Sequence, residues 1–285
     1  MNLPDDPLVS CAWLAERLDA PDIRVVDATW FMPADPRDAK ALFAERRIPG
    51  AIFFDIDEIA DTSVDLPHML PSPEKFASRM KARGIGDGTR VIVYDNHGVF
   101  SAPRVWWTFR VMGHEDVAVL DGGFPAWERG GYPIETGQPQ TRMERHFTPR
   151  MRSDLVKSLD DVRRILDSGG KTPIFDARPG PRFRAETPEP RAGLRGGHMP
   201  GAINTPSGEL VDANGFLKSA DELKKIFAMS GADPSKPAVC TCGSGLTAAI
   251  IALALARTGK WDASVYDGSW TEWGGHADTP VVTGA

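Results

Sequence analysis

Short apolar runs rich in β-branched residues alternate along the chain with segments of helical periodicity. Leu14–Leu18 carries a helical pattern, and Ile23–Asp27 after it reads as a strand. Arg90–Tyr94 suits a buried parallel strand, because a strand covered on both faces loses its polar alternation. Ser101–Met112 then reads as a helix and Val117–Leu120 as a strand. The pattern resumes past residue 150. Ser158-Leu159-Asp160-Asp161 is a capped start for a helix through Leu166. Ile174–Asp176 and Ala238–Thr241 read as strands, and a helix is expected from Ala248 to Arg257. Strand–helix alternation in both halves predicts an α/β fold in which parallel sheets are flanked by helices.

The halves also repeat each other. Val25-Val26-Asp27-Ala28 matches Ile174-Phe175-Asp176-Ala177, and Arg47-Ile48-Pro49-Gly50-Ala51-Ile52 matches His198-Met199-Pro200-Gly201-Ala202-Ile203. Asp121-Gly122-Gly123-Phe124 matches Asp267-Gly268-Ser269-Trp270. The pairs occur in the same order at nearly constant separation, so two copies of one domain are expected. Glu135–Arg152 is poor in apolar residues and rich in Pro, Gln, Thr and Arg. The expected layout is therefore a first domain at 1–135, a linker at 136–152 and a second domain at 153–285.

Composition narrows the function. With 41% apolar and 25% charged residues, the chain is no disordered segment. A net charge of -6 argues against a nucleic-acid partner. Met-Asn-Leu-Pro-Asp-Asp has no apolar leader, and the longest apolar run, Ala248–Ala256, is too short to span a bilayer. A cytoplasmic protein with no membrane partner is expected. The three cysteines, Cys11, Cys240 and Cys242, make no disulfide framework. They are either inert buried thiols or include one reactive thiol.

Cys242 stands where a strand ends and the turn Cys242-Gly243-Ser244-Gly245-Leu246-Thr247 leads into a helix. Gly243 and Gly245 allow successive N–H groups to converge, and the helix adds its positive end. Both favour a thiolate near neutral pH. Aligning the copies places Asp95 opposite Cys242, so the domain folds without a cysteine there, and a second active site at Asp95 is not expected. A phosphatase loop of the C-x5-R type would need an arginine at Ala248. A metal site would want more soft ligands. Sulfur transfer through a cysteine persulfide fits best, since it needs a nucleophilic thiolate in a preorganised cradle. Cys240 is either a buried strand residue or a redox partner of Cys242, and Cys11 is read as core.

These residues resemble the two-domain rhodanese family, and within it the 3-mercaptopyruvate sulfurtransferases, from about Val9 to Trp273. The loop is similar to the C-G-S-G-[VL]-T of that group, whereas thiosulfate enzymes carry cations in it. Asp176-Ala177-Arg178, Arg182-Phe183 and Pro188-Glu189-Pro190-Arg191 resemble the family's D-x-R, R-F and P-E-P-R elements. The resemblance implies that Arg182 and Arg191 bind substrate, where a guanidinium fork matches a carboxylate. Alternatively they belong to a solvated loop balanced by Glu186 and Glu189, a reading kept for Arg178, Arg184 and Arg195. Ala185 departs from the glycine common in the family. Phe53-Phe54-Asp55-Ile56-Asp57 and His68-Met69-Leu70-Pro71 resemble F-F-D-I-D and H-M-L-P, which implies a triad of Asp57, His68 and Ser244. The resemblance thus implies a sulfurtransferase acting on 3-mercaptopyruvate, with a thioredoxin-like thiol or cyanide as acceptor. Gly243, Gly245, Leu246 and Thr247 would line its site, and no metal or organic cofactor would be needed. Thiosulfate:cyanide sulfur transfer is the nearest alternative.

Overall fold

The computed structural model describes residues 5–140, 142–169, 172–232 and 236–284. Among the described residues, ten short strands form two five-stranded sheets. The first holds β1 (Leu8–Val9), β2 (Ile23–Asp27), β3 (Ile52–Phe53), β4 (Arg90–Tyr94) and β5 (Val117–Leu120), in the order β1-β5-β4-β2-β3. The second holds β6 (Val156–Lys157), β7 (Ile174–Asp176), β8 (Ile203–Asn204), β9 (Val239–Thr241) and β10 (Ser264–Tyr266), in the order β6-β10-β9-β7-β8. Every pairing is parallel, and the permutation is the same in both. The loops off the sheet repeat too. Ala28 N–H donates to Tyr94 O in one copy and Ala177 N–H to Thr241 O in the other.

The chain order reverses between β7 and β9: β8 lies on one side and β10 on the other. In such sheets the crevice at the carboxyl ends of the two reversing strands is the natural binding place. The residues just past those ends are Ala177-Arg178 and Cys242-Gly243.

The chain separates into two compact units. The first comprises residues 1–60, 71–152 and 213–217, and the second 61–70, 153–212 and 218–285. In the first, Ile23, Val25, Ile92, Phe124 and Trp127 form part of the core; in the second, Val162, Ile174, Val239, Trp270 and Trp273 do. Burying five tryptophans below 2% exposure supplies much of the apolar driving force.

Several sequence expectations hold in detail. Ser158 and Asp161 form a reciprocal capping box on the helix Leu159–Asp167. Two differ. The first helix is Cys11–Ala15 rather than 14–18, because the Ser10 side chain accepts the Trp13 N–H and starts it earlier. The polar segment 136–152, leaving residue 141 aside, runs along the first unit. Phe147 is buried against Phe76, Phe109 and His114, and Arg150 N–H donates to Met112 O. One buried aromatic anchors a stretch whose composition looks solvated.

Candidate active site

Asp95 follows β4 and is fully buried. Its Oδ1 accepts the N–H groups of His97 and Gly98 at 2.8 and 3.0 Å. Its Oδ2 accepts those of Phe100, Ser101 and Ala102, each at 2.8 Å. Five backbone donors thus surround one carboxylate, a nest closed by the start of the helix Ala102–Val111. Gly98, at φ +114°, makes the turn possible.

Cys242 occupies the matching place after β9, with Gly245 at φ +77° where the first copy has Gly98. Phe124 N–H donates to Asp95 O, and Trp270 N–H donates to Cys242 O, both at 2.9 Å. By position, the donors that hold Asp95 correspond to the amides of Ser244, Gly245, Thr247, Ala248 and Ala249. Cys242 is 2% exposed, Leu246 is buried, Ser244 is at the edge of burial, and Thr247 precedes the helix Ala248–Arg257. Ala248 is itself buried, so the position that a phosphatase loop fills with arginine faces the interior.

Ser269 fastens the loop from the other side. Its Oγ accepts the Cys242 N–H at 3.2 Å and donates to Tyr266 O at 2.8 Å. Gly243 O accepts both the N–H and the Oγ1–H of Thr271, at 2.8 and 2.6 Å. Ser269 has φ +49°, and its counterpart Gly123 has φ +55°. The second copy thus tolerates a side chain in left-handed backbone and gains a hydroxyl beneath Cys242.

The arginine loop differs from the sequence expectation. Arg178 is no solvated residue: it is 1% exposed, pairs with Asp176 at 2.6 Å and Glu189 at 2.9 Å, and lies over the Trp270 ring. Burial opposes its charge, but Asp176 and Glu189 outweigh burial and raise its pKa. Arg195 is likewise structural, donating to the carbonyls of Trp273, Gly274 and Thr279. Arg184 stays at the surface, paired with Glu186.

The Glu189 side chain, 2% exposed, also takes Arg182 at 2.5 Å. Arg182 Nη2 lies only 3.2 Å from where a Cβ on Gly243 would stand. A side chain at Gly243 would crowd this cation, and Arg182 is set at the loop by a buried carboxylate. Arg191, half-buried, makes no ion pair with any described residue. Ala185 has φ +65°, so the residue that departs from the family's glycine sits in the backbone region glycine prefers.

His68 lies in the segment 61–70, part of the second unit, and is buried with φ +62°. The next-but-one residue, Leu70, donates its N–H to Asp267 Oδ2 at 2.7 Å, just past β10. That ties the segment to the carboxyl end of the same sheet, where Cys242 also lies. Asp57 belongs to the first unit, near the start of the helix Ile56–Ile59, exposed and accepting the Trp30 indole N–H at 2.9 Å. Cys240 is wholly buried in β9, where burial and the neighbouring Cys242 push its thiol pKa up. Cys11 is half-buried, and burial followed by Asp121 pushes it up to about 11.

Sequence reasoning missed Ser269, Glu189 and the buried role of Arg178. A serine opposite a glycine in the repeated Asp-Gly-Gly/Asp-Gly-Ser motif was the one local signal.

A family model, the Rhodanese-like domain, matches residues 10–129 and 158–276. The 3-mercaptopyruvate sulfurtransferase of Escherichia coli (strain K12) is 44% identical over 275 residues, 96% of this chain and 96% of that protein. The thiosulfate sulfurtransferase of Gallus gallus is 42% identical over 272 residues, 93% of this chain and 92% of that protein. The crystal structure of the 3-mercaptopyruvate sulfotransferase from Escherichia coli matches with a TM-score of 0.85 and 41% identity, covering 93% of this chain and 99% of that chain. No helix among the described residues is long and apolar enough to cross a membrane.

Proposed function

The chain belongs to the rhodanese family, and from that premise we propose that it moves sulfur from 3-mercaptopyruvate to a thiol or cyanide through a Cys242 persulfide, releasing pyruvate. The observation that carries this reading is the pair of matching loops. One holds the Asp95 carboxylate on five amide N–H groups; the other presents a cysteine at the same place beside Arg182. A loop that satisfies an anion in one copy suits a thiolate, and then a persulfide anion, in the other.

Arg182 and Arg191 bind the substrate carboxylate and ketone oxygen. The Cys242 thiolate attacks the substrate sulfur, forming an S–S bond as the C–S bond breaks. The electron pair leaves on carbon as the pyruvate enolate, which takes up the proton given up by the substrate thiol. Asp57, His68 and Ser244 manage that proton. The amides of residues 243–247 hold the persulfide. An acceptor thiolate, of the thioredoxin type, or cyanide then attacks the outer sulfur and Cys242 leaves as thiolate. A reducing cytoplasm would supply such thiols.

Thiosulfate is the second reading, because a thiosulfate sulfurtransferase is similar over nearly the same span. Against it, Gly243-Ser244-Gly245 brings no cation into the loop. Pyruvate release from 3-mercaptopyruvate is measured beside thiocyanate formation from thiosulfate. The expected kcat/KM favours 3-mercaptopyruvate, and Arg191→Ala should weaken its use more than that of thiosulfate. Cys242→Ser should abolish both reactions and the mass gain of one sulfur atom; retained turnover overturns the assignment.

A further inference from the structure

We propose that the first unit carries a second anion site, apart from Cys242, that takes a multiply charged phosphate-bearing small molecule. A cavity of about 660 Å³ opens there, within the size of ordinary ligand pockets. Arg24, Arg142 and Arg145 line it, two of them from the polar segment that follows the first sheet.

These three cations lack the carboxylates that normally accompany buried arginine. Arg24 Nη1 and Arg145 Nη2 both donate to Pro21 O, at 3.1 and 3.5 Å, so two like charges converge on one carbonyl. Arg142 Nη2 donates to Gly50 O at 2.9 Å. None of the three forms an ion pair with any described residue, and the Nε groups of Arg24 and Arg142 are buried without an acceptor. Asp19 and Glu135 also line the cavity, and of the nearby acids Asp22 and Glu135 are already engaged. Asp22 pairs with Arg90, while Glu135 binds Arg47 and the Gly50 N–H. Burial, and then the charges of Arg145 and Arg142, hold Arg24 below the usual guanidinium range.

The chain also makes room for this arrangement. Gly50 and Gly84, both at positive φ, leave the space that Arg142 fills: a Cβ at either would stand 2.7 or 2.8 Å from it. Convergent guanidinium forks with free donors match phosphate oxygens, and an anion there would relieve their mutual repulsion. Leu18, Val25 and Pro133 give the cavity apolar walls that could cover a base or sugar ring.

The test is calorimetric titration of the full chain with inorganic pyrophosphate and, separately, with ADP at low ionic strength. Saturable binding of either at one site per chain is expected, weakened by added salt. Arg24→Gln with Arg145→Gln should weaken it at least about tenfold, a loss of about 1.4 kcal/mol, and leave pyruvate release from 3-mercaptopyruvate unchanged. Tighter ADP than pyrophosphate binding assigns the apolar walls to the nucleoside, and equal affinity assigns the site to the oxyanion alone. No binding at millimolar probe overturns the proposal. So does binding that the double variant retains while Arg182→Ala abolishes it, because that places the probe at the Cys242 loop.

Discussion

The two copies of the domain build one loop and put opposite chemistry into it. In the first, the Asp95 side chain folds back and saturates five amide donors. In the second, the Cys242 thiol stands at that place, and the Ala249 N–H, matching the Ala102 donor, turns to Leu246 O instead. A second contrast lies one strand away. Asp27 is buried with Thr29 two residues on, its Oδ1 accepting the Thr29 N–H and hydroxyl. Its counterpart Asp176 has Arg178 there, tied through Glu189 to Arg182. The first copy thus neutralises its anion hole internally, while the second spends buried charge on holding one arginine beside the loop. The lesson is that one side chain can fill a backbone cradle from within while the loop keeps its left-handed turn.

The strongest way to break this comparison is to turn the second loop into the first. Cys242→Asp should lower pyruvate release by at least about a thousandfold, while the midpoint of urea unfolding holds or rises. A clear loss of stability would mean that the two loops do not share donor geometry. Next is Asp95→Ala, which strands five buried N–H groups. It should cost about 3 kcal/mol in denaturant unfolding, with turnover per folded molecule unchanged.

A pH titration then separates Asp27 from Asp176. Burial pushes Asp27 up to about 6, above the value of about 4 for a free aspartate. A carboxyl with a raised folded pKa takes its proton more readily when folded. Burying it is therefore costless below about pH 4, grows costly between about pH 4 and 6, and has a constant cost above that. Asp27→Asn should stabilise the protein by about 2 kcal/mol at pH 8, and the gain should vanish near pH 4. Asp176→Asn should instead destabilise at pH 8, by depriving Arg178 of its partner. Thermal melts across this range decide both. The smallest effect is Ala185→Gly in the arginine loop. Relief of left-handed strain, offset by glycine's greater unfolded freedom, should stabilise by about 0.5 kcal/mol, measurable as a shift in the unfolding midpoint.

Much of this was legible because local patterns carry it. The bounds of β2, β4 and β5 follow from apolar runs long enough to show their character. The Cys242 loop is legible because two glycines between strand and helix announce backbone donors. The two-residue strands Leu8–Val9, Ile52–Phe53, Val156–Lys157 and Ile203–Asn204 are too short for any period to appear. Arg178 reads as a loop cation because its burial depends on Trp270 and Glu189, which no local rule connects to it. Phe147 is hidden by the polar residues around it, and the role of Ser269 requires knowing that its backbone is left-handed.

The division of the chain has a consequence for synthesis. Each unit takes a short strap from the opposite half of the sequence. Leu70 N–H is held by Asp267 in the second unit and, in the matching position, Leu217 N–H by Asp121 in the first. The first unit is therefore still short of residues 213–217 after its own half has left the ribosome. It reaches its final form only when about half of the second has been made. Cutting the gene at residue 153 would give two fragments each lacking a clasp, so in synthesis neither half is complete without part of the other.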